Sequence, residues 1–161
     1  MSTITASTFD LENVRKPIWG IGEKSFTADL GEIPIGSLDR EGRAYLTSSA
    51  EEALSKLQSL EIDIPKPADV REYLHRYPDM IDLLPSVCSV TRERFGIDTR
   101  LSLEVYHDPE IDDEYLTLYV RQKHYDKQIM KTIEDIWATY DEELAERSGW
   151  LHVTTDFRPP S

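Results

Sequence analysis

The segment HDPEIDDE, residues 107–114, holds the side chains whose types and spacing come nearest to those of a metal-binding or catalytic site. It places five carboxylates within seven consecutive residues, directly before an alternating apolar stretch. Carboxylate oxygens are the ligands that hard cations prefer, and His107 would add a nitrogen ligand. One hypothesis is therefore a metal-dependent enzyme that uses this acidic loop. Its candidate ligands are Asp108, Glu110, Asp112 and Asp113.

The spacing of the acids argues against a calcium-binding loop. An EF-hand loop needs oxygen ligands at fixed positions and a central glycine, whereas Pro109 and Ile111 stand where acids or glycine would be wanted. We therefore expect no metal and no cofactor here. The alternative interpretation is a solvated hairpin loop whose acids act through their electrostatic field.

The other candidate catalytic residues form no known arrangement. The four histidines make no HxH or HxxxH pair. Cys88, the single cysteine, lies among apolar residues and is predicted to be buried rather than reactive. Gly20 and Gly22 belong to no phosphate-binding pattern, because neither GK[ST] nor GxGxxG follows. The sequence thus favours a protein that is not an enzyme.

Two alternating stretches flank the acidic segment and must position it. RLSLEVY (100–106) and EYLTLYVR (114–121) both alternate apolar with polar residues, which is typical of half-buried strands. The acids would then form the turn of a β-hairpin. The two apolar faces coincide only if Leu103 lies opposite Leu118 or its same-face neighbours.

Helical and strand patterns on either side of the hairpin predict the fold class. Residues 47–60 predict a short amphipathic helix, 67–96 two or three short helices broken by prolines, and 125–149 one long helix. A last strand in 150–157 should return parallel to the second hairpin strand. We predict an α+β fold in which helices cover one face of a small mixed sheet. If RAYLT (43–47) is a further strand, the order becomes ferredoxin-like.

The predicted domain organisation is simple. Residues 1–25 show no sustained period and are interpreted as a flexible N-terminal arm, with a possible edge strand in 26–36. Residues 26–161 would form a single domain, which suits their length. EIDIPKP predicts a hinge near residues 61–67, since prolines restrict the chain there.

The polar face of the hairpin is a candidate binding surface. Tyr106, Tyr115, Tyr119 and Arg121 fall on the side opposite the aliphatic residues. Tyrosine and arginine are the residues that most often anchor protein interfaces. The predicted partner-binding set joins these four to Asp108, Glu110, Asp112 and Asp113. An alternative is that a second structural layer simply covers this face.

Charge limits the class of partner. Lys and Arg number 18 against 31 Asp and Glu, which gives a net charge of -13 and repels phosphate backbones and anionic lipids. No stretch approaches the roughly 18 apolar residues of a membrane span. We expect a cytoplasmic protein that binds neither nucleic acid nor membrane, and whose partner is a basic protein. The sequence leaves its oligomeric state open.

Three segments carry a resemblance to a known family. LHRYPDMIDLLPSVCSVTRERFG, LSLEVYHDPEIDDEYLTLYVRQ and GWLHVTTDFRPP together resemble a family of small uncharacterised bacterial proteins of cyanobacterial type. The resemblance covers about residues 70–160 and includes no catalytic motif. Some members are associated with toxin-type genes, so the resemblance implies an antitoxin or accessory role. The leading functional hypothesis is an acidic protein-binding module, in concrete form an antitoxin-like inhibitor of a basic partner.

Overall fold

The computed structural model describes residues 40–111 and 113–160. The predicted arm, 1–25, and the edge strand proposed for 26–36 lie outside these residues. The helices are α1 (Arg40–Ser59), α2 (Pro67–Arg76), α3 (Met80–Phe95) and α4 (Ile129–Ala145). The strands are β1 (Ile62–Asp63), β2 (Arg100–His107), β3 (Glu114–Arg121) and β4 (Leu151–Thr154).

The four strands form one mixed sheet in the order β1-β2-β3-β4. β2 and β3 are an antiparallel hairpin, β4 pairs parallel to β3, and β1 pairs parallel to β2. The α+β fold, the hairpin and the parallel return strand are therefore confirmed. The sequence did not predict β1, since two residues are too few to show a period.

The hairpin register separates an apolar face from a polar face. Leu103 lies opposite Leu118, as predicted, and Leu101 lies opposite Val120. Leu103 and Leu118 are fully buried together with apolar residues of all four helices. Glu104 and Tyr106 point to the other side because side chains alternate along a strand. We call that other side the polar sheet face.

RAYLT is helical, so the prediction of a strand at 43–47 is wrong. α1 begins at Arg40, and the Thr47 hydroxyl donates to the Arg43 carbonyl, 2.9 Å away and one helical turn back. The apolar spacing of the predicted helix extends towards the N-terminus without a proline to stop it. The ferredoxin-like order depended on that strand, and its condition is not met.

Arg92 joins three elements around the segment 60–63. Its Nε donates to the Leu60 carbonyl at 2.9 Å, and its Nη2 donates to the Glu61 carbonyl at 2.8 Å. Its Nη1 donates to the Thr99 carbonyl at 2.6 Å, just before β2. One guanidinium thus links α3 to the end of α1 and to the segment that precedes β2. Motion about a hinge at 61–67 stays a prediction.

Prolines and glycine set the helix ends only in part. Pro78 lies in the short connection between α2 and α3, as expected for a proline that interrupts a helix. Pro85, in contrast, lies inside α3. α3 ends at Phe95, and Gly96 follows it with a φ of 74°, a conformation that favours glycine. Cys88 is fully buried in α3, and burial raises the pKa of its thiol.

In the part of the chain that the structure describes, every helix is too short or too polar to span a bilayer.

We expect Leu103→Asp to destabilise the fold by about 3 kcal/mol or more, because it buries an unpaired charge beside Leu118. Urea unfolding measures this loss. Ile97→Asp is the matched control, since Ile97 is 75% exposed just before β2, and it should change the free energy of unfolding by less than about 0.5 kcal/mol. Equal stabilities for the two variants would show that the hairpin register is wrong.

Candidate functional site

The hairpin tip, residues 107–114, is a turn closed by its own hydrogen bonds. The Asp108 amide donates to the Asp113 carbonyl at 2.9 Å, and the Asp113 amide donates to the Ile111 carbonyl at 2.7 Å. The Glu110 amide donates to the Asp108 carboxylate at 2.8 Å, which is an Asx turn. This network presents Glu110, Ile111 and Asp113 to solvent. Asp112 lies outside the described residues.

The acids of the tip differ in how far they are neutralised. Glu114, which is mostly buried, accepts a hydrogen bond from Arg76 of α2 and lies 3.4 Å from His107 Nδ1. Among the described residues, no Lys or Arg forms an ion pair with the carboxylates of Asp108, Glu110 or Asp113. We call the carboxylates of Asp108, Glu110 and Asp113 the outer carboxylates, and they give the tip its negative charge. Glu114 instead pairs with Arg76 and so links the base of the tip to α2.

The described residues give no support to a metal site. No group of three or more His, Cys, Asp or Glu side chains within 40–111 and 113–160 is placed to hold a cation. The Asp108 carboxylate instead caps the Glu110 amide within the turn. The metal-dependent enzyme stays a hypothesis, since Asp112, one of its four candidate ligands, lies outside the described residues.

Tyr106 and Tyr115 form a cross-strand pair beside the tip. Their ring centroids are 5.1 Å apart at an angle of 36°, a geometry that aromatic pairs favour. Tyr106 is 38% exposed, whereas Tyr115 is only 7% exposed. Burial raises the pKa of Tyr115 to about 12, with smaller contributions from Tyr106 and nearby acids. Tyr115 therefore supports Tyr106 and offers little surface of its own.

Arg121 is engaged inside the domain. Its Nη2 lies 2.8 Å from the Asp156 carboxylate, and its Nε donates to both carboxylate oxygens at 3.2 Å. Its guanidinium also lies 5.0 Å from the centre of the Tyr119 ring, and Glu104 is 3.7 Å away. Only 13% of the Arg121 side chain is exposed. The expectation of a free arginine anchor did not allow for this pairing.

No local pattern in the sequence predicts the pairing of Arg121 with Asp156, which follows from the parallel register of β3 and β4. Tyr119 pairs with Thr154 in the parallel register. Two residues further along both segments, Arg121 therefore lies beside Asp156. The hydrogen bond from Arg121 lowers the pKa of the Asp156 carboxyl most strongly, and a hydrogen bond from the Arg158 amide lowers it further. Burial acts in the opposite direction but does not outweigh them.

The exposed part of the polar sheet face lies near the tip. Ser102 and Thr117, at the centre of that face, are almost completely buried, and Tyr119 is half-buried under Arg121. Tyr106 and the outer residues of the tip remain accessible. The structure therefore brings Tyr106, Asp108, Glu110 and Asp113 together at one end, and it places Tyr119 and Arg121 toward the other end.

Comparison with protein-family models, with curated proteins and with solved structures found no match to this chain.

We expect Asp156→Asn to lower the free energy of unfolding at pH 7 by about 1.5–3 kcal/mol, because it weakens a charge-assisted pair with Arg121. The folded-state pKa of Asp156 is depressed, so this stabilisation is present above the ordinary carboxyl pKa and is lost as pH falls through the folded value. Urea unfolding from pH 7 to pH 3 should show wild type and variant converging below about pH 4.

Asp141→Asn controls for the charge change, since Asp141 is exposed on α4. It should match wild type throughout the pH range. A loss in Asp156→Asn that stays constant with pH, or no loss at pH 7, would contradict the assigned role of the ion pair.

Proposed function

We propose that this chain is a non-enzymatic acidic module that binds a basic protein through its hairpin tip. The observation that carries the proposal is the set of outer carboxylates at the tip, which have no ion-pair partner among the described residues and adjoin the exposed ring of Tyr106. Unpaired acids next to an exposed aromatic ring are suited to a cationic surface, since Lys and Arg bind to both groups.

The tip combines long-range and short-range terms of binding. Its carboxylates add to a chain charge of -13, so a basic partner is drawn toward the protein before contact. On contact, Tyr106 and Ile111 offer apolar area that the acids lack. Because the Tyr115 ring already holds the Tyr106 side chain in place, Tyr106 loses less conformational entropy on binding. Tyr119 and Arg121 would extend the surface along the polar sheet face only where their outer atoms are accessible.

The concrete form of this proposal is an antitoxin-like inhibitor acting in the cytoplasm. A small nuclease binds phosphate backbones through clustered Lys and Arg, and an acidic module that covers those cations would block the substrate. The same charge disfavours direct binding of this chain to nucleic acid or to anionic lipid.

The test is capture from native cell extract with three immobilised baits. Wild type should retain a basic protein in stoichiometric amount. Glu110→Gln with Asp113→Asn should lose most of it, because two outer carboxylates are neutralised. Asp141→Asn with Glu142→Gln makes the same change in net charge on exposed positions of α4 and should retain the partner as wild type does.

Stopped-flow association with the captured protein then separates steering from contact. The tip variant should associate several-fold more slowly at low salt, and the difference should shrink near 0.15 M, where screening acts over about 8 Å. Recovery of no stoichiometric protein by wild type, or equal recovery by tip variant and control, would refute the proposed function.

A further inference from the structure

Exposed cations cluster near the ends of β3 and β4 that lie opposite the hairpin tip. β3 rises over eight residues from Glu114 to Arg121, so about 23 Å separate its ends. β4 runs parallel to β3, so the segment after Thr154 emerges at the same end as Arg121. We call residues 122–128 with 157–158 the basic end.

The basic end departs from the acidic balance of the chain. Lys123, Lys127 and Arg158 are exposed there against one exposed acid, Asp126. The neighbouring Asp156 carboxylate pairs with Arg121 at 2.8 Å and with Arg158 at 3.6 Å, so Arg121, Lys123, Lys127 and Arg158 stand against the two acids Asp126 and Asp156. A chain with a net charge of -13 thus carries a local excess of positive charge at this end.

An exposed aromatic ring lies within this basic end. Phe157 is 60% exposed, and its φ of 53° falls in the left-handed region that an aromatic residue rarely adopts. The Tyr125 ring lies 5.1 Å from the Phe157 ring, and the Tyr125 hydroxyl donates to the Arg158 carbonyl at 2.6 Å. These contacts hold a strained backbone that presents Phe157 to solvent, and such strain is concentrated at binding surfaces.

The hairpin tip repeats this arrangement with opposite charge. Ile111 is 50% exposed and stands between the exposed acids Glu110 and Asp113. One end of the sheet therefore presents an apolar side chain among carboxylates, and the other presents an apolar ring among cations. The two ends are complementary in both charge and apolar character.

We propose that the hairpin tip of one copy docks on the basic end of a second copy of this chain. Ile111 would pack against Phe157, with the outer acids of the tip facing Lys123 and Arg158. The two surfaces lie at opposite ends of one sheet, so they meet between copies in a head-to-tail contact. Repulsion between copies of charge -13 opposes the contact, so association requires concentrated protein.

This inference is independent of the proposed function, because it needs no basic partner. The two proposals are linked at one point: a basic partner bound at the tip would compete with self-association. Failure of partner capture would leave self-association intact, and the converse also holds.

Sedimentation velocity over a range of protein concentrations tests the inference with two variants. The tip variant carries Glu110→Gln, Ile111→Ser and Asp113→Asn. The end variant carries Lys123→Gln, Phe157→Ser and Arg158→Gln. Wild type should grow beyond the 18.6 kDa monomer as concentration rises. Each variant alone should remain monomeric, because every contact in its head-to-tail series lacks one surface.

An equimolar mixture of the two variants gives the decisive result. The tip variant keeps an intact basic end and the end variant keeps an intact tip, so the mixture should form a 1:1 dimer and stop there. This outcome also shows that both variants are folded. Asp141→Asn with Glu142→Gln should associate as wild type does. A wild type that stays monomeric throughout, or a mixture that stays monomeric where wild type associates, would overturn the proposal.

Discussion

The register of the β2–β3 hairpin is the constraint on which the rest of the structure depends. With Leu103 opposite Leu118, the aliphatic side chains of both strands point to the helices. A slip of one residue would turn these side chains to solvent and bury Glu104 in the core. The same register leaves Glu110 and Asp113 exposed in the turn, where their carboxylates stay hydrated.

Charge is distributed along the sheet as a consequence of this register. The turn collects acids at one end of β3, and the parallel return of β4 brings Asp156 to the other end, beside Arg121. The Asp156 carboxylate neutralises the Arg121 guanidinium, which would otherwise be an unpaired cation on the polar sheet face. The exposed cations Lys123 and Lys127 and the ring of Phe157 lie beyond that pair, so the two ends of β3 differ in charge.

The local patterns of the sequence predict much of this fold because each depends on near neighbours. Alternation predicts β2 and β3, and matching their faces predicts Leu103 against Leu118. The errors arise where tertiary contacts decide. RAYLT lies within α1 instead of forming a strand, and Tyr115 alternates as an exposed residue would but is buried. Asp156 could be recognised only from the β3–β4 register, and the strain at Phe157 has no sequence pattern.

The most direct test of the account is amide hydrogen exchange of this chain with and without the basic protein recovered by capture. Amides of the tip close its turn by donating to the chain and to the Asp108 carboxylate, so a docked partner should slow their exchange strongly. The account predicts protection concentrated in residues 106–113, with α4 unchanged. Protection confined to the helices, with the tip exchanging as in the free protein, would contradict it.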